Sequence, residues 1–364
     1  MEKLALGMAQ QTKTRPPRDE DVHDRQPADS VDRLTRMIAA LEARRPLLRR
    51  LGLALSLLII AVSAVIFFRT LIRIDPERFK AAFAATGGDQ IAMAFALSAL
   101  SYLALTGYDG LALRHLHARV PYRLTALASF TSYSVSFTLG FPLVTGGAVR
   151  FWIYGPAGLS AGKVASLTIV AGVTFWLGMG LIIGVGFVGD ATAIGAINHF
   201  NALANQSIGV LVLGALVAYL IWVRRMKRRG KPIFMNFRVP GPALTLGQMA
   251  LGVVDVCSAA GALYVLLPKG HGLGFLAFST LYSFAAMLGI ASHAPGGLGV
   301  FEATMIDGVG GSSDQLLASL LLFRGIYYVV PFVLAMALLG AYEAVRRWRS
   351  LREAMAASSP EDEE

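Results

Sequence analysis

Residues 292–302 read Ser292-His293-Ala294-Pro295-Gly296-Gly297-Leu298-Gly299-Val300-Phe301-Glu302. Apolar runs enclose this stretch, LAFSTLYSFAAMLGIA before it and LLASLLLFRGIYYVVPFVLAMALLGA after Asp314. A proline, three glycines, a histidine and a glutamate therefore interrupt what otherwise reads as membrane interior. Pro295 has no N–H and stops the entering helix. Gly296, Gly297 and Gly299 permit a tight turn and close backbone approach. Non-helical backbone at membrane depth is tolerated only where protein covers it or water wets it. The next half-helix then starts deep in the bilayer. Its free N–H groups and positive dipole end face the turn, which makes an anion site out of backbone.

The whole chain supports a membrane reading. Of 364 residues, 55% are hydrophobic and 15% charged, against about 25% charged in soluble domains. Mean hydropathy is +0.57. Several uncharged runs approach or exceed the ~18 residues that cross a bilayer, and the ~10-residue alternating segments of a β-barrel are missing. The fold class is therefore all-α and polytopic. The formal charge of +10 comes from basic residues beside apolar helices. It reads as topology and anionic-lipid contact, not as nucleic-acid binding. The one cysteine, Cys257, excludes an internal disulfide and a cysteine metal cluster.

Residues 1–48 read as a cytoplasmic segment with no cleavable signal, polar and disordered at first. Ser30 can cap a short helix with Val31, Leu34, Ile38 and Leu41 on one face, either lying on the membrane or solvated beside it. Residues 49–345 read as the transmembrane domain and 346–364 as a charged cytoplasmic tail. Six firm spans fall at about 50–68, 90–110, 163–188, 207–223, 245–267 and 316–342. Two further apolar segments, about 124–154 and 273–306, are interrupted, giving eight in all.

Charge asymmetry orients them. RRPLLRR places the N-terminus inside. Arg114, Arg119 and Arg123 mark another inner loop, Arg224 to Lys231 the strongest one, and Arg346, Arg347 and Arg349 an inner C-terminus. Segments 189–206 and 303–315 hold no Lys or Arg and read as outside. By this walk 124–154 begins and ends inside, and 273–306 begins and ends outside. Both interrupted segments are then re-entrant hairpins, opposed across the bilayer. Loop 69–89 fits less well, since Arg69, Arg73, Arg78 and Lys80 burden a loop assigned outside.

Span, hairpin, span occurs twice in opposite orientation, the inverted repeat with broken helices found in many transporters. The first tip, Phe141-Pro142-Leu143-Val144-Thr145-Gly146-Gly147-Ala148-Val149-Arg150, resembles the second in its Pro, Gly pair and later charge. Gly146 and Gly147 are expected to form the turn that Gly296 and Gly297 form in the other. Arg150 and Glu302 become intramembrane charges, which are expensive and so candidates for function. Opposed hairpins would bring them together. Arg150 could hold a lipid phosphate while Glu302 balances it or senses a head-group amine; equally, the two could simply lock the hairpins. Arg324, with Tyr327 and Tyr328 beyond it, either faces inward or snorkels to the surface. Asp255 lies mid-span without a neighbouring base and needs a partner across the bundle, Arg324 or Arg150. Asp109 is expected to reach the inner interface. His293 is a candidate proton relay or phosphate ligand, or a capping residue. Trp152, Tyr154 and Trp176 fit an interfacial aromatic belt. Gly178, Gly180 and Gly184 suit close helix packing, within the chain or in a homo-oligomer, with the internal use favoured.

Four motifs in order, VTGGAVRFWIYGPAGLSAGKV, VTFWLG, SHAPGGLGVFEATM and FRGIYYVVPF, resemble the N-terminal membrane domain of the lysylphosphatidylglycerol synthase/flippase family, the multiple peptide resistance factors. The resemblance spans roughly 50–345. It implies a domain that moves aminoacylated phosphatidylglycerol between leaflets of a bacterial inner membrane, protecting against cationic peptides. It also implies that Arg150, Glu302 and Arg324 line the translocation cavity. Full-length members carry a soluble aminoacyl-transferring domain, which this sequence does not show. The expectation is thus a flippase portion without enzymatic activity, catalytic residues, metal or cofactor, served by a separate synthase. No phosphate-binding G-x-x-x-x-G-K-[ST] loop, H-E-x-x-H helix or nucleophile triad is seen. Two alternatives stay open. One is an ion-coupled small-solute transporter, whose cavity would be closed to lipid. The other is a non-transport subunit that docks a synthase through inner loop 224–238.

Overall fold

The computed structural model describes residues 76–140, 142–229, 240–268, 270–292, 294–310 and 313–357. The expected first span, the amphipathic segment after Ser30, and His293 lie outside the described residues. The elements are α1 (Pro76–Ala85), α2 (Gly88–His115), α3 (Tyr122–Leu139), α4 (Pro142–Tyr154), α5 (Ala161–Gly189), α6 (Ala191–Asn198), α7 (Ala202–Arg229), α8 (Pro242–Tyr264), α9 (Phe275–Ala291), α10 (Val300–Val309), α11 (Ser313–Phe323) and α12 (Val330–Ala357). A 3-10 turn, Pro295–Gly297, links α9 to α10, and a π-helical stretch, Arg324–Val329, joins α11 to α12. No strand occurs among the described residues.

Five helical stretches are long and apolar enough to cross a membrane: Gly88–His115, Ala161–Gly189, Ala202–Arg228, Pro242–Tyr264 and Asp314–Arg349. They coincide with the five expected spans that fall among the described residues. The loop expected around 189–206 is largely the short helix α6.

Both interrupted segments are broken helices. α3 ends at Gly140, whose φ of 78° suits glycine, and α4 opens on Pro142, where a missing N–H costs nothing. α9 ends at Ala291; the Ser292 hydroxyl donates to the Gly289 carbonyl at 2.7 Å and accepts from the Ala294 N–H at 3.2 Å. Gly296, Gly297 and Gly299 then take φ values of 59°, 65° and 86°. In each segment the two helices pack against one another. α4 has 13 residues and α10 has 10. At 1.5 Å per residue they reach about 20 and about 15 Å, short of a ~30 Å hydrocarbon core.

The first break differs in place from the expectation. Gly146 and Gly147 are helical, one turn inside α4, and the chain turns at Gly140. Pro142 is the reason, since its fixed φ starts a helix there. Gly146 is small because its neighbours are close. A Cβ there would lie 2.7 Å from Ser136 Oγ and 3.1 Å from Arg150 Nη1.

Packing has a repeated pattern. α2 packs on α3 as α8 packs on α9, and α5 packs on α2 and α4 as α11 packs on α8 and α10. α2 and α8 pack on each other, while α12 covers α3 and α5 covers α9. Close approach needs small residues, because lipid tails supply no hydrophobic force between helices. A Cβ on Gly178 would lie 2.3 Å from the carbonyl carbon of Gly252, so α5 and α8 touch backbone to backbone. Gly184 presses on Leu213 of α7, with 2.7 Å between that side chain and an added Cβ. Both glycines therefore serve packing inside the chain. Trp176, Ile169, Leu211 and Leu334 are exposed, as surface facing acyl chains should be.

Candidate functional site

Among the described residues, two ion pairs and one acid without a basic partner lie inside the bundle. The first pair joins α4 to α2. Arg150 Nε donates to both Asp109 carboxylate oxygens, at 3.2 and 3.0 Å, and Nη2 donates to Oδ1 at 2.8 Å. The Tyr154 hydroxyl donates to Asp109 Oδ2 at 3.0 Å. Arg150 is 2% exposed and Asp109 0%. The guanidinium also sits 4.7 Å from the Tyr133 ring centroid, a cation–π contact with α3. The forked geometry matches guanidinium to carboxylate and satisfies both charges where water cannot.

The second pair joins the π-helical stretch to α10. Arg324 Nε donates to Glu302 Oε1, and Arg324 Nη1 donates to the Gly296 carbonyl at 3.1 Å. Glu302 Oε2 accepts from the Gly299 N–H at 2.8 Å, as a third-position carboxylate does in a capping box. The Arg324 and Glu302 side chains keep 11% and 16% exposure. Arg324 lies 5.3 Å from the Tyr328 ring. Its Nη2 is buried and has no hydrogen-bond partner among the described residues. A donor left so inside a protein is uncommon and asks for an explanation.

Asp255 on α8 is the third group. Ser101 Oγ donates to Oδ1 at 2.6 Å and the Tyr108 hydroxyl donates to Oδ2 at 2.8 Å. Ser101 Oγ also shares a hydrogen bond with the Tyr327 hydroxyl at 2.7 Å. No basic residue touches this carboxyl among the described residues.

One row of aromatic rings connects the groups. Tyr133 stands 5.7 Å from Phe137, and Phe137 stands 6.4 Å from Tyr328, so rings run from Arg150 to Arg324. The two breaks also meet. The turn Pro295–Gly297 packs on the end of α3, and a Cβ on Gly296 would lie 3.3 Å from the Phe137 carbonyl oxygen.

Several expectations change. Arg150 and Glu302 do not pair: Asp109 takes the first and Arg324 the second. Asp109 does not reach the interface, because its position on α2 faces α4 and a buried arginine needs a counter-charge. Tyr154 is buried on that carboxylate and is no part of a surface belt. Asp255 finds hydroxyls where a base was expected, since Arg150 and Arg324 are engaged elsewhere. Arg324 faces inward and does not snorkel. Gly296 and Gly297 sit at the second break as expected, next to Arg324 and Gly289 respectively. The residues that sequence reasoning missed are hydroxyls, Ser101, Tyr108 and Tyr133, together with the tie of Tyr327 to Ser101. A signal existed for Tyr133 alone, in the hydroxyl-rich stretch SFTSYSVSFT of α3, which puts Ser129, Thr131, Ser132, Ser134 and Ser136 in the interior beside it.

Comparison with known proteins places the chain in a family. A family model described as the lysylphosphatidylglycerol synthase TM region matches residues 53–335. The uncharacterized protein slr0712 of Synechocystis is 36% identical over 267 residues, covering 72% of this chain and 83% of that protein. The inner membrane protein YbhN of Escherichia coli is 26% identical over 247 residues, covering 67% of this chain and 77% of YbhN. A phosphatidylglycerol lysyltransferase of Staphylococcus epidermidis is 32% identical over 113 residues, which is 30% of this chain and 13% of that enzyme. With most of its length matched in one membrane domain, the chain belongs to the lysylphosphatidylglycerol synthase transmembrane-region family.

Proposed function

We propose that the chain moves a phospholipid, aminoacylated phosphatidylglycerol foremost, between the leaflets of a bacterial inner membrane. The carrying observation is Arg324. Its guanidinium is part-buried at the meeting of the two breaks, is oriented by Glu302 and the Gly296 carbonyl, and keeps a buried Nη2 without a partner among the described residues. A phosphate oxygen satisfies such a donor, and arginine is the residue suited to it. Glu302 beside it offers the negative charge that a lysyl head group's amines require. The Arg150–Asp109 pair, fully engaged, holds α4 against α2 and so fixes the first break; a direct phosphate contact by Arg150 needs Asp109 to yield.

Helix lengths support the re-entrant reading, since α4 and α10 are too short to cross. The repeated packing supports two inverted units, with both termini cytoplasmic by the charge rule. An open apolar groove of about 360 Å³ between α4 and α5, lined by Leu143, Val144, Phe151, Val164 and Ile169, suits acyl tails that remain in lipid. The relatives support the substrate class, three-tenths of this chain being similar to an enzyme named phosphatidylglycerol lysyltransferase. A separate synthase supplies the lipid in this reading, and the chain itself performs no bond chemistry.

The test is transbilayer movement in proteoliposomes of purified protein, with phosphatidylglycerol and its lysyl ester as reporters. Wild type should move the lysyl ester, and Arg324→Lys and Glu302→Gln should lose that movement while keeping the wild-type melting profile. Wild-type protein that moves neither lipid would sink the proposal. So would an Arg324→Lys variant that matches wild type.

A further inference from the structure

Asp255 has no part in the proposed head-group contacts, yet it is a buried acid with no counter-charge among the described residues. A carboxylate in that condition costs several kcal/mol. The groups facing it come from every element around α8. Tyr102 and Tyr108 come from α2, with Asp109 next in sequence but bound to Arg150. α3 contributes Tyr133, whose ring meets Tyr108 at 6.0 Å. Tyr282 stands on α9 and Tyr327 in the π-helical stretch. α5 carries only Lys163, in its first turn, and α11 only Asp314 at its start. The basic residues of α7, Arg224 to Arg229, cluster at its far end. None of these is a base in contact with Asp255.

The hydroxyls suit two protonation states. With Asp255 ionised, Tyr327 donates to Ser101 and Ser101 donates to Oδ1, through contacts of 2.7 and 2.6 Å. With Oδ1 protonated, the acid donates to Ser101 and Ser101 turns to donate to Tyr327. A serine hydroxyl rotates between these without moving a heavy atom. The chain of hydroxyls ends on Tyr327, in the π-helical stretch that also carries Arg324. Short π-helical segments inside helices are rare and gather at functional sites.

We propose that Asp255 is a proton-binding site that couples lipid movement to a transmembrane pH difference. A proton from water on one side forms an O–H bond at Oδ1 and is released to water on the other. The lipid is unchanged, and Ser101 and Tyr327 carry the altered hydrogen bonding to the π-helical stretch that also holds Arg324. The identity of the cargo rests on the lipid-translocation reading; the proton chemistry does not.

Two measurements separate them. Infrared difference spectra of the wild type over pH should show a protonated-carboxyl C=O band that titrates, vanishes in Asp255→Asn and shifts in Asp255→Glu. In proteoliposomes with an imposed pH difference, wild type should bias the steady-state reporter lipid by about tenfold per pH unit for one proton per lipid. Asp255→Asn should show no pH-driven bias, and Asp255→Glu should restore part of it. A missing or non-titrating band overturns the inference. So does wild-type lipid movement that ignores the pH difference, or an Asp255→Asn variant biased like wild type. A titrating band in protein that moves no lipid leaves the proton site standing and removes the lipid reading.

Discussion

The Arg150–Asp109 pair permits a sharp stability test. Replace Asp109 by Asn. The side chain keeps its size, but Arg150 stays 2% exposed with its forked partner neutralised. Removing one member of a buried pair costs about 3–5 kcal/mol, because the survivor is left charged and dry. That is roughly two to three and a half orders of magnitude in the folding equilibrium. Arg150→Met should cost a similar amount by stranding Asp109, whose remaining donor is Tyr154. The double variant Asp109→Asn, Arg150→Met closes the cycle and removes both charges, so it should recover most of the loss. Equilibrium unfolding in bicelles by SDS titration, followed by tryptophan fluorescence, measures all four proteins. The expected coupling is at least about 2 kcal/mol, well above the ~0.5 kcal/mol scatter of independent sites. Single variants within about 1 kcal/mol of wild type, the scale of an exposed pair, would refute the reasoning. Additive losses would refute it too.

Other consequences follow from single contacts. Gly178→Ala places a Cβ 2.3 Å from Gly252 backbone and should cost about 1–3 kcal/mol by forcing α5 from α8; Gly180→Ala, which meets only Leu216 at 3.7 Å, is the neutral control in the same unfolding assay. Gly296→Ala combines a φ of 59° with a 3.3 Å approach to the Phe137 carbonyl oxygen, and should lower stability by about 1–2 kcal/mol while reducing lipid movement. In a Cys257→Ser background, Arg119→Cys and Ala157→Cys flank the first broken segment, and Gly274→Cys and Asp307→Cys flank the second. A membrane-impermeant maleimide should reach the first two only from the cytoplasmic side and the last two only from outside; labelling of one pair from both sides would remove the re-entrant reading.

The all-helical membrane class, the five described stretches long and apolar enough to cross, and both interruptions could be read along the chain. Each depends on local causes: uncharged length for a span, and proline or positive-φ glycine for a break. Charge bias near the ends of short loops is local as well, so an orientation could be written without coordinates. The glycine contacts were half legible. Small residues announced close approach, and only packing showed that Gly178 meets Gly252 while Gly180 meets little.

Charge partners were decided by the tertiary structure. Sequence placed Arg150 and Glu302 at similar points of two similar motifs, and symmetry suggested that they meet. Helix rotation decides otherwise: about 100° per residue, set by 3.6 residues per turn, separates faces that are adjacent in sequence. Asp109 thereby faces α4 and claims Arg150, while Arg324 faces α10 and claims Glu302. Ser101, 154 residues from Asp255 along the chain, meets it at 2.6 Å and is itself met at 2.7 Å by Tyr327 of the π-helical stretch. Serine and tyrosine in a span look alike whether they face lipid, backbone or a buried acid. Only the packing of α2 on α8 makes them a cage, because hydrogen bonding acts over ångströms and sequence fixes positions only along one helix at a time.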